Sequence, residues 1–102
     1  MSHIEPKTDI TPLFVNQFSV ATPYLGMRVF VTERFRGEAG DAMGVSQGFS
    51  AWDHQRSRKS YSSGGVGWST EEPIGWGTVV EVIPDVRDGL VCGFDGLVQL
   101  DE

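Results

Sequence analysis

The 102-residue chain has one cysteine, Cys92, and only two histidines, His3 and His54. A single thiol cannot close an intramolecular disulfide, which excludes the stapled architecture common in small secreted domains. Two separated histidines and one cysteine give no zinc-ligand spacing, and Asp85, Asp88 and Asp95 do not follow a calcium-loop pattern. No metal and no cofactor is therefore expected. Apolar runs are short as well, far below the roughly 20 residues that span a bilayer. The first residues, MSHIEPKTDITPLFVNQF, lack the basic opening and apolar run of a signal peptide. These absences predict a cytoplasmic protein without membrane contact.

What is present suits strands better than helices. Hydrophobic residues make up 39% of the chain and aromatic residues 11%, while thirteen glycines and five prolines imply many turns. One chain of this length predicts one small core. The net charge is -6, which opposes general attraction to phosphate backbones. Charge is polarised along the chain, however. Residues 1–53 carry four cations against six acids, residues 54–70 three cations and no acid, and residues 71–102 one cation against eight acids. A basic segment above an acidic body is the expected arrangement.

The β-branched run from Gly77 to Ile83 reads as a strand, ended by Pro84 and Asp85. After the turn-rich DVRDG, Leu90–Phe94 is a second candidate strand. Asp95 and Gly96 then precede a third at Leu97–Leu100. Asp-Gly between apolar runs is a hairpin signal, so residues 77–100 are predicted to form a three-stranded meander. An earlier strand is expected at Met27–Thr32. Alternation assigns Met27, Val29, Val31, Val80, Val82, Leu90, Cys92, Phe94, Val98 and Leu100 to one core face. The opposite face carries Phe30, Val79, Ile83 and Leu97 and calls for a cover. The N-terminal arm, with Phe14, Val15 and Phe18, is expected to supply it, in its own subunit or in a second copy as a route to homo-oligomers. Thr11 and Pro12 could open a short helix there, and an extended arm is the alternative. Irregular strands are expected around Val45–Trp52 and Gly65–Ser69.

Together "GMRVFV", "GWGTVVEVIP", "GLVCGFDG" and "LVQL" resemble the strands of an SH3-like small barrel. The expected architecture is therefore mostly β: an N-terminal arm at 1–24 and a single domain at 25–102 of about five antiparallel strands, with a long insertion at 33–76. The resemblance implies binding through the long loop after the first strand, with peptides, nucleic acids or other subunits as ligands. Fold alone does not name the ligand.

Gly44–Gly48 spells G-x-S-x-G, but Ser46 lacks the following helix and the large sheet of a nucleophile elbow and is expected to be inert. The glycines at 64, 65 and 67 are followed by Trp68, where a phosphate loop would need Lys and Ser or Thr. No acid, base and nucleophile set is visible, so no catalytic residue is assigned and an enzyme is not expected. The segment from Trp52 to Trp68 remains. Arg56, Arg58 and Lys59 have no acid nearby in sequence, and Trp52, Tyr61 and Trp68 offer flat contact area. These six are the expected partner-binding residues, and the cations are expected to lie exposed. An acidic protein surface is the first partner expected, and a single-stranded nucleic acid or nucleotide is the second. Small acidic chains of this kind are common among viral and mobile-element accessory factors, phage proteins included, and an accessory or inhibitor role is the corresponding expectation.

Overall fold

Asp88 and Gly89 both have positive φ, 51° and 78°, the pair of left-handed residues that a two-residue type I′ hairpin turn requires. That turn joins the two strands that dominate the molecule. A computed structural model describes residues 11–38, 45–62 and 67–101. Its strands are β1 (Leu13–Val15), β2 (Gln17–Phe18), β3 (Arg28–Glu38), β4 (Ser46–Trp52), β5 (Lys59–Ser62), β6 (Gly67–Arg87) and β7 (Leu90–Leu100), with no helix among the described residues. The all-β class expected from composition is therefore correct, but the strands number seven rather than about five.

The sheet runs in the order β1-β7-β6-β3-β4-β2, with β5 attached to β6 off this path. β1 and β2 are the ends of the path and do not pair with each other, so the sheet is not closed into a barrel. They are instead consecutive pieces of one arm: β1 pairs antiparallel with β7, and β2 pairs parallel with β4. The arm is thus extended, not helical, and its backbone groups are spent within its own chain. β6 is 21 residues long. Its first half lies between β3 and β5, and its second half pairs with β7.

Val15, Val29, Val31, Ala51, Val79 and Val98 are the buried cluster, flanked by Leu13, Phe18, Met27, Phe49, Val82 and Leu100. Alternation along β3 correctly predicts Val29 and Val31. On β6 the expected Val80 is exposed and Val79 is inside. The cause is a register shift, since Val79 opposes Val98 while Glu81 opposes Leu97, leaving Val80 as an extra residue. A second shift leaves Cys92 extra between Val91 and Gly93. Cys92 and Leu90 are exposed there rather than in the core, and Phe94 is half-buried.

The expected turn at Asp95–Gly96 does not form, and β7 runs straight through it. Gly96 is needed for room: a Cβ there would stand 2.6 Å from the Glu81 carbonyl and 3.1 Å from the Phe18 ring. The expected arm cover over Phe30 is also corrected. The arm sends Val15 into the Val29–Val31 face, and Phe30 meets the Trp76 ring edge-on at 5.4 Å.

Beyond Val79 on β6 and before Gly96 on β7, the two strands pair only with each other among the described residues. They form a two-stranded ribbon, and the arm lies beside its near part, where Phe18 and Ala21 line a cavity of about 390 Å³ with Asp85 and Phe94.

Candidate functional site

Directly opposed residues of neighbouring strands share a face of the sheet, and this register assembles a basic surface from four strands. One row reads Lys59, Glu71, Arg34, Gly48 across β5, β6, β3 and β4. The next reads Tyr61, Ser69, Arg36, Ser46. Two residues further along β3, Thr32 opposes Ser50, and both are buried. Lys59, Tyr61 and Arg36 are exposed, and Arg34 is half-buried.

The base of the face is a hydrogen-bonded network built on Glu71, which is only 6% exposed. Trp52 Nε1 donates to Thr32 Oγ1 at 3.0 Å, and the Thr32 hydroxyl donates to Glu71 Oε2 at 3.0 Å. Arg56 Nη2 donates to the other oxygen, Oε1, at 2.9 Å. The Arg56 guanidinium also lies over the Trp52 ring, 3.8 Å from its centroid. A buried carboxylate needs such partners, because its desolvation otherwise costs several kcal/mol. Arg34 Nη1 donates to Ser50 Oγ at 2.8 Å. Burial first, and the nearby Arg36 charge second, press the Arg34 guanidinium below its ordinary pKa, with Glu71 opposing. Arg34, Arg36, Asn16, Ser46, Gln47 and Gly48 line a shallow recess of about 140 Å³ on this face.

The residues expected to bind a partner are therefore divided. Trp52 is half-buried, and Arg56 is largely inside, its side chain 20% exposed. The expectation of free cations does not hold for Arg56, nor for Arg58, whose Nε lies 3.0 Å from Glu72 Oε2. Both acids sit on β6, outside the sequence window that made the segment look unpaired. Lys59 and Tyr61 lie exposed on the basic face. Trp68 opposes Ser62 and Gly37, on the other side of the sheet, where a Cβ on Gly37 would meet its indole at 2.6 Å. The glycines at 64 and 65 lie outside the described residues. Ser46 and the hydrogen-bonded His54–Asp53 pair (2.7 Å) flank opposite ends of extended β4, about 20 Å apart at 3.4 Å per residue. They are not brought together as a nucleophile and base.

Sequence reasoning missed Arg34, Arg36 and Glu71. The signal for the two arginines was the alternation itself, which continues past Thr32 to Arg34 and Arg36 on one parity. Glu71 had none, because its role is set by cross-strand pairing.

Comparison with protein-family models, with curated proteins and with solved structures returned no match. No helix among the described residues is long and apolar enough to cross a membrane.

Proposed function

We propose that this chain is a non-enzymatic binding protein, an accessory or inhibitor-type factor, whose contact surface is the basic face of β5, β6, β3 and β4. The observation that carries this reading is the composition of that one face: Lys59, Arg34, Arg36 and Arg56 against Glu71 and, by register, Glu38, with exposed Tyr61 among the cations. Among the described residues Arg36 and Lys59 have no ion-pair partner, which leaves them able to form charge-assisted bonds to carboxylates, and Tyr61 supplies rigid contact area. The loop-mediated binding of an SH3-like domain belongs to the same proposal, since β4 and β5 both arise from the 33–76 insertion. An acidic protein surface is favoured over a long polyanion because the whole chain carries -6.

The test compares a fluorescein-labelled glutamate-rich peptide with a random single-stranded oligonucleotide by anisotropy. The peptide is expected to bind the native protein in 50 mM salt, and Arg36→Glu with Lys59→Glu is expected to weaken it about tenfold or more. Equal binding by the variant overturns the assignment of the face. Binding of the oligonucleotide alone, with a steep salt dependence, reverses the choice of partner.

A further inference from the structure

The ribbon of β6 and β7 beyond Val79 is the counterpart of that face. It carries Glu81, Asp85, Asp88 and Asp95 against Arg87 alone, a net -3, while the basic face carries Lys59, Arg34, Arg36 and Arg56 against Glu71 and, by register, Glu38, a net +2. Glu81 and Asp85 lie on the same side of β6, four residues apart. Asp95, opposed to Ile83, and Leu90, opposed to Arg87, share that side. Leu90 is 70% exposed, the most exposed large apolar side chain among the described residues. The arm lies beside the near part of the ribbon, where Phe18 and Ala21 line a cavity with Asp85 and Asp95, while the far end of the ribbon bears exposed apolar side chains, and these with unpaired strand edges mark an interaction element.

Within one molecule the two surfaces cannot meet, because both belong to β6. Glu71 and Asp85 stand on the same extended strand, fourteen residues apart, or roughly 40–45 Å at 3.3 Å per residue less the shortening at bulges. Two copies could pair ribbon to ribbon, but that would oppose -3 with -3. Ribbon to face opposes -3 with +2. We infer that the acidic β6–β7 ribbon of one copy docks on the basic sheet face of a second copy, so that the chain assembles head to tail with itself. This inference rests on the reading of the basic face as a protein-contact surface and names its partner. A head-to-tail contact leaves one free ribbon and one free face at the ends, so it continues into a ring or a filament.

The test is mass by sedimentation velocity on the native chain and two variants, at 200 µM, in 50 mM and 500 mM salt. The face variant is Arg36→Glu with Lys59→Glu, and the ribbon variant is Glu81→Lys with Asp85→Lys. The native chain is expected to exceed its monomer mass of 11.2 kDa in low salt and to associate about tenfold more weakly in high salt. Each variant alone is expected to be monomeric. Mixed, they are expected to associate, because the intact ribbon of one meets the intact face of the other. The glutamine versions of the same four substitutions are expected to show smaller losses and, mixed, to stop at a dimer because they introduce no new complementary charges, and they decide the matter should a charge reversal unfold the protein. A native chain that stays monomeric, variants that assemble as the native chain does, or a mixture that stays monomeric overturns the inference. If the chain is monomeric and the face variant still loses the glutamate-rich peptide, head-to-tail assembly fails and the reading of the face survives. If the peptide is unaffected as well, both fail.

Discussion

At the scale of single residues, Arg56 and Arg58 separate two meanings of one charge. Both are arginines two positions apart, and both meet a glutamate of β6. Arg56 covers a carboxylate that is 6% exposed, so Arg56→Ala leaves Glu71 desolvated with one partner fewer. The expected cost is about 2–3 kcal/mol, below the usual range for a broken buried pair because the arginine retains some solvent. Arg58→Ala removes a pair whose arginine is 70% exposed, and a change within about 0.5 kcal/mol is expected. Urea denaturation of both variants checks the contrast, and equal losses would contradict the assigned burial. Trp52 fluorescence adds a second reading of Arg56, since the guanidinium lies on that ring. The sequence made these cations look alike because their partners are fifteen and fourteen residues away along the chain.

Among elements, the arm and the hairpin hold each other. Phe18 from β2 lies where a Cβ of Gly96 would project, and Val15 from β1 is fully buried beside Val98. Gly96→Ala is therefore expected to destabilise by about 1–3 kcal/mol through overpacking. Val15→Ala should cost about 2 kcal/mol from two lost buried methyl groups. A melting temperature unchanged by Gly96→Ala would mean that the arm yields without cost. Here the legibility of the sequence was uneven. Asp88–Gly89, between Arg87 and Leu90, and Asp95–Gly96, between Phe94 and Leu97, are the same dipeptide, yet only the first turns. The second stays extended because it is paired on both sides, Asp95 with Ile83 and Gly96 with Val82 and Val15, pairings no local propensity encodes.

Across the whole molecule, β3 and the C-terminal end are clasped by Arg28, whose Nη1 and Nη2 donate to Asp101 at 2.7 and 2.6 Å across 73 positions of sequence. The hydrogen bond from Arg28 holds the Asp101 carboxyl below its ordinary pKa, and the hydrogen bond from His54 does the same for Asp53. A carboxyl depressed in the folded state adds stability above its unfolded value, near pH 3.9, and loses it as pH falls through the folded value. Asp101→Asn is thus expected to lower the melting temperature slightly at pH 7, where the Arg28 pair contributes, and to flatten the acid limb, so that variant and native profiles converge as pH falls below about 3.9. An acid limb as steep as the native one would place that linkage elsewhere. The sequence by itself determined the all-β class, the Val29–Val31 core parity, a turn within the DVRDG stretch and the separation of basic from acidic segments. Each of these depends on composition or on a period of two within a few residues. Tertiary structure decided that Val79 rather than Val80 is buried, that the arm joins two strands rather than covering a face, and that Arg34, Arg36 and Lys59 form one surface around Glu71. A one-residue bulge resets the alternation, and only the pairing of distant strands says where it falls.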